Sequence, residues 1–227
     1  MGTVTAGTII DRCARQLFDV NGVKCPRTDL LEWLNVGQRL IVVLQPSSSN
    51  TVAVIKLAVG SRQSIPSTGW SLLDVIRNMG TTGTTPGRAV RIASRRLMDA
   101  FNPLWHSATA SAVTQNFVFD PQDQTSFFVY PPSNGQGYVE INYASLPAMI
   151  SSEASAISVP DAYEDALVNY VMFRALSKYV EYANSDEAQR YLSMFNGFLG
   201  AKVSAEQANN PNIGLAPPNP AVEGGVS

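Results

Sequence analysis

The sequence predicts an α+β protein. The expected layout is a four-helix bundle formed by the N- and C-terminal helix pairs, with an inserted antiparallel β domain and an extended C-terminal tail. Three observations carry this. Apolar residues recur at spacings of three and four in residues 8–44 and again in 160–205. Between these stretches, from Thr51 onward, the period falls to two and turn residues recur. Residues 208–227 then lose all periodicity and carry a single charge, Glu223, among Pro, Gly and Asn. The segments that follow are 1–49, a helical hairpin; 50–150, the β domain; 151–207, the second helical pair; and 208–227, the arm.

The first helix, residues 8–19, carries Ile9, Ile10, Cys13, Ala14 and Leu17 on one stripe, and Val20, Asn21 and Gly22 end it. Pro26 precedes a second helix with Thr28 as its expected cap and Asp29 and Glu32 in the first turn. Its apolar residues are Leu30, Leu31, Trp33, Leu34, Leu40, Ile41 and Leu44, and Pro46 stops it. In the β region Val52 and Val54 alternate with Ala53 and Ile55, and Val139, Ile141 and Tyr143 with Tyr138, Glu140 and Asn142. Shorter strands are expected at 72–77, 89–93, 114–119 and 127–130, giving six or seven in all. Turn signals at Gly60, Pro66 with Gly69, residues 80–87, Asp120-Pro121 and residues 131–137 separate them. Leu97, Met98 and Phe101 are spaced as in a short helix over 95–101.

The third long helix, residues 161–184, opens after Pro160 with Asp161, Glu164 and Asp165 at the positive end of its dipole. Tyr163, Ala166, Leu167, Tyr170, Phe173, Leu176 and Val180 lie on one face, which predicts burial of that face. Ser185 is the expected cap of a fourth helix, with Tyr191, Leu192, Phe195, Phe198 and Leu199 as its stripe.

A net charge of −2 with 15% charged residues gives no general attraction to nucleic acid. No apolar run reaches the roughly 18 residues of a membrane span, and residues 1–7 lack the basic and apolar blocks of a secretory signal. Cys13 and Cys25 are too few for a disulfide framework or a four-cysteine zinc site, so both are expected as free thiols made in a reducing cytoplasm. The glycine-rich 80–87 stretch lacks a Gly-Lys-Ser/Thr ending and reads as a hairpin tip. His106 is the one histidine, which rules out a multi-histidine metal site. The pairs Asp161 with Glu164 and Asp120 with Asp123 are explained by helix-start electrostatics and turn chemistry, so no catalytic, metal or cofactor residue is expected.

Charge is segregated along the chain. Arg62, Arg77, Arg88, Arg91, Arg95 and Arg96 face one acid, Asp74, in residues 62–96, whereas residues 140–187 hold eight acids against Arg174 and Lys178. The readings are two solvated faces, or a subunit contact in which Arg88, Arg91 and Arg95 meet Glu164, Glu181 and Glu187 of a neighbouring copy. A nucleic-acid contact lacks the interleaved lysines and a recognisable module.

The residues Gly7-Thr8-Ile9-Ile10-Asp11-Arg12, Asp29-Leu30-Leu31-Glu32-Trp33-Leu34-Asn35 with Gln38, Leu73-Asp74-Val75-Ile76-Arg77-Asn78-Met79, Phe117-Val118-Phe119-Asp120, Phe127-Phe128-Val129-Tyr130-Pro131-Pro132, Asp165-Ala166-Leu167 and Arg174-Ala175-Leu176-Ser177-Lys178 carry a likeness in order and spacing. Through them the chain resembles the head-to-tail adaptor (connector) proteins of tailed bacteriophages, close to the tail tubular protein A type of short-tailed phages. That resemblance implies a virion structural protein of the neck and tail, not an enzyme and without cofactors. It would form a ring of twelve copies joining portal protein to tail nozzle, with double-stranded DNA passing through the lumen without sequence-specific binding and no membrane partner. In that setting Ile213, Leu215, Pro217, Pro218 and Val222 are expected as anchors of an arm on the portal or a neighbouring adaptor. The competing class is a glycan-binding or glycan-hydrolysing tail module, with Trp70, Trp105 and Tyr130 stacking on sugars.

Overall fold

The computed structural model describes residues 2–120, 122–178 and 185–208. Helix α1 (Ala6–Gln16) starts at Thr5, whose hydroxyl accepts from the Thr8 N–H at 3.3 Å. It ends three residues earlier than the sequence predicts, because Asp19 leaves the helix to organise the next turn. Helix α2 (Arg27–Leu44) begins directly after Pro26, so Thr28 lies inside the helix rather than capping it. A 3-10 turn over Pro46–Ser49 leads into the β region.

Helix α3 (Arg95–Phe101) interrupts that region, and a 3-10 turn over Asp161–Tyr163 leads into α4 (Glu164–Ser177) and then α5 (Ser185–Ala208). Helices α1, α2, α4 and α5 contribute to one hydrophobic cluster, and α4 touches each of the other three. For that reason α4 is not buried on one face, as its sequence suggests. Val168, Val171 and Met172 are buried along with Leu167 and Tyr170, while Phe173 is only half-buried. Gly37 of α2 packs tightly on α4: a Cβ there would stand 2.9 Å from Tyr170 Cδ1 and 3.3 Å from Leu167 Cδ2. Two buried polar residues of α2 sit beside this stripe. Asn35 exchanges two hydrogen bonds with the backbone of Ile150, at 2.9 and 2.8 Å, and Gln38 accepts from the Ser158 N–H at 2.6 Å. These bonds fasten the chain between the β region and α4 onto the helices.

The β region forms two sheets. One has the order β1 (Asn50–Lys56), β7 (Tyr138–Ser145), β3 (Gly69–Asn78), all antiparallel. The other runs β2 (Val59–Ser64), β6 (Ser126–Asn134), β5 (Asn116–Phe119), β4 (Arg91–Ile92). The expectation of a wholly antiparallel domain is corrected here, since β4 pairs with β5 in parallel. A parallel pair needs a crossover, and the chain through α3 and the 3-10 turn at Trp105–Ser107 supplies it. Val75, Val139 and Ile141 from the first sheet and Phe117, Phe127 and Val129 from the second fill a shared core. Strand β1 is an edge on which Ala53 and Ile55 face that core, while Val52 and Val54 point outward.

Candidate functional site

The described residues singled out by charge fall on or beside β4, α3, α4 and α5. Arg91 lies in β4, Arg88 just before it, and Arg95 opens α3, all of them exposed. Arg95 is occupied within the chain. Its guanidinium lies 3.3 Å from Asp120 and 3.7 Å from Asp99, with its carbon 5.8 Å from the centre of the Phe128 ring. Arg88, Arg91 and Arg96 form no ion pair among the described residues. On the helical side Glu164 reaches Arg12 at 3.4 Å, and Arg12 also holds Asp165 at 2.7 Å. Glu187 lines a hollow with Arg190, Tyr191 and Met194. Glu181 and the arm residues Ile213, Leu215, Pro217, Pro218 and Val222 lie outside the described residues.

The groups with conceivable chemistry are engaged in structure. Asp123 accepts from Ser126, Thr125 and Arg62, and the Ser126 hydroxyl foremost pulls its carboxyl down to about 2. Asp161 accepts from the Thr3 hydroxyl and from the Thr3 and Val4 N–H groups, led by the hydroxyl, which hold it below the ordinary carboxylate value. Burial pushes the Cys13 thiol up to about 12 and raises Cys25 as well, so both behave as apolar groups rather than nucleophiles. His106 stacks on Trp105 at 3.6 Å and lies 2.9 Å from the Ser61 hydroxyl. Among the described residues no cluster of His, Cys, Asp and Glu converges as a metal site, and no helix is long and apolar enough to cross a membrane. Trp105 is fully buried, and Trp70 and Tyr130 are half-buried, so these three do not present an open row to a sugar.

What the structure does present is apolar surface. Trp105 donates from Nε1 to Asp99 at 2.8 Å and packs edge-on against Phe128, so α3 is fastened through Arg95 and Asp99. At 100° per residue, Leu97 and Phe101 fall on the opposite face. No residue of α3 is buried; Phe101 is 86% and the following Leu104 74% exposed. The helical spacing of Leu97, Met98 and Phe101 was legible in the sequence, but not that it faces solvent. A second feature escaped sequence reasoning entirely. An open groove of about 530 Å³ lies between α1, α4 and α5, with Val168, Tyr191, Met194 and Phe198 as apolar lining and Arg12 and Asp165 among its polar residues.

Comparison with known families places these surfaces in a context. A model of the SU10 adaptor protein family matches residues 4–215. The chain belongs to that family. A search of curated proteins finds no match. Membership makes the chain a phage structural adaptor and a virion component. The match begins just before α1 and runs through α5, so both the apolar face of α3 and the groove of this adaptor lie within the matched residues.

Proposed function

We propose that this adaptor assembles as a closed ring of twelve copies that joins the portal to the tail nozzle, in the manner of the tail tubular protein A type. DNA passes through its lumen without sequence-specific contacts. The observation that carries this reading is the family match over residues 4–215. In this reading the four long helices act as one bundle with the β region as an inserted domain, and copies pack side by side as wedges. The segment 208–227 is the docking arm. With four prolines it favours extended conformations, and at ~3.1 Å per residue it reaches on the order of 60 Å.

The adaptor performs no catalysis in this role. Peptidoglycan and capsule polysaccharide should show no turnover above a heat-denatured control, and saturable turnover abolished by changing one carboxylate would end that part of the proposal. The ring itself is tested by imaging purified virions. Density for this chain between capsid and tail, repeated around the tail axis, is expected. Its presence at the distal tail tip or inside the capsid would refute the reading.

A further inference from the structure

We infer that the exposed face of α3 on one copy seats in the groove between α1, α4 and α5 of the next. The inference rests on the ring reading above and assigns the two surfaces that would join its copies. Leu97 and Phe101 stand out from a helix whose other side is already secured by Arg95 and Asp99, and Leu104 from the turn that follows it, so burying them requires a second molecule. Exposure of this kind on a fastened element differs from scattered surface hydrophobics, because the element cannot fold back onto its own core. The groove is of matching character. At about 530 Å³ it has room for side chains the size of Phe101 and Leu104. Met194, 54% exposed, together with Tyr191 and Phe198, forms a side of the groove that soft and aromatic groups can fill.

Charge selects the same pair of surfaces. Around α3, Arg88, Arg91, Arg95 and Arg96 outnumber Asp99 and Asp120. The lining of the groove and the adjoining hollow pairs Asp165 and Glu187 with Arg12 and Arg190, and the excess comes from Glu164, which shares Arg12 with Asp165, and from Asp186 in the first turn of α5. Positive excess flanks the knob and negative excess flanks the groove. Such complementarity fixes register and partner choice more than it adds affinity. The two surfaces belong to different elements of the same chain, so the contact is heterologous and repeats head to tail, which is the kind of contact a closed ring requires. Glu164 and Glu187, two of the acids named from the sequence, therefore act as a rim, with apolar side chains at the centre, where most binding energy is found.

The test uses the full-length chain. A knob variant, Phe101→Asp with Leu104→Asp, and a groove variant, Met194→Asp, are each checked for an unchanged thermal melt and then sized in solution and on purified portals. Each alone should self-associate at least tenfold more weakly than the wild type. Mixing the two should give a dimer and nothing larger, because each retains one intact surface. Should Met194→Asp disturb the fold, Leu104→Cys and Met194→Cys proteins are mixed under mild oxidation. A disulfide-linked pair is expected, and none with Val59→Cys in place of Leu104→Cys; the native Cys13 and Cys25 are buried and do not compete. If the wild type assembles and both variants assemble equally well, or the cysteine pair gives no more product than the control, this pairing is wrong while the ring reading stands. If the wild type stays monomeric both free and on portals, the ring reading fails and this inference fails with it.

Discussion

Asp19 closes the turn between α1 and α2 by accepting hydrogen bonds from the N–H groups of Val23, Lys24 and Cys25, at 2.8, 2.8 and 2.7 Å. Those bonds, the one from Cys25 first, hold its carboxyl below the usual carboxylate value. Asp123 and Asp161 shift the same way. A carboxyl whose folded value lies below its unfolded value favours the native state when ionised. Its contribution is complete above the unfolded value of about 4 and is lost as pH falls through the folded value. For Asp123 that window runs from about 4 down to about 2. Urea midpoints of the wild type should therefore fall steeply across this range. Asp123→Asn should be less stable than the wild type at pH 7 and show a shallower fall below pH 4. A pH dependence parallel to that of the wild type would mean that Asp123 does not carry the effect.

At the scale of elements the α2–α4 crossing bears the most consequence, because α4 is where the other long helices meet. Alanine in place of glycine on an exposed helix gains about 1 kcal/mol from propensity. At position 37 the added methyl meets the buried Tyr170 ring at 2.9 Å, and overpacking of this kind costs roughly 1–3 kcal/mol. Gly37→Ala is therefore expected to destabilise by roughly 1 kcal/mol net in urea titrations; a gain in stability would show that the crossing has slack. Leu167→Ala removes side-chain volume from the same crossing, where Leu167 is fully buried, and should cost roughly 2–5 kcal/mol. A loss below about 0.5 kcal/mol would show that this face of α4 is not core, since core truncations do not fall so low.

At the scale of the whole molecule the proposed docking arm follows α5. Glu206, in the last turn of α5, accepts from Gln45 Nε2 at 2.7 Å, so the helix ends beside the junction between α2 and the β region. The arm proposal assigns residues 209–227 to partner contacts and none of the core. Removing them should leave the thermal melt within a degree or two of the full chain, as for a change outside any packed element. Binding to portals, measured by sedimentation or surface capture, should drop at least tenfold. Equal portal binding by the truncated and full-length chains would move that contact to the helices.

The sequence by itself determined the kind and order of most elements, because helical and strand periods are local properties of a few consecutive residues. It identified α1, α2, the short α3, the two long C-terminal helices and most of the strands, along with the arginine-rich stretch. Decisions that depend on distant neighbours were not legible. Val52 and Val54 alternate with Ala53 and Ile55, both pairs apolar, so either phase could face inward; pairing of β1 with β7 and the shared core chose Ala53 and Ile55. Strand β2 went unseen because Val59–Ser64 is mostly polar and contains Gly60, and its pairing with β6 gives it strand form. The spacing of α4 suggested one buried face, whereas packing against three helices enclosed most of its surface. Leu97 and Phe101 carry the same apolar signal as core residues. Only the tertiary structure, by fastening the other side of α3 to Trp105 and Asp120, left that signal facing outward, because burial is decided by what the rest of the chain brings near and not by hydrophobicity alone.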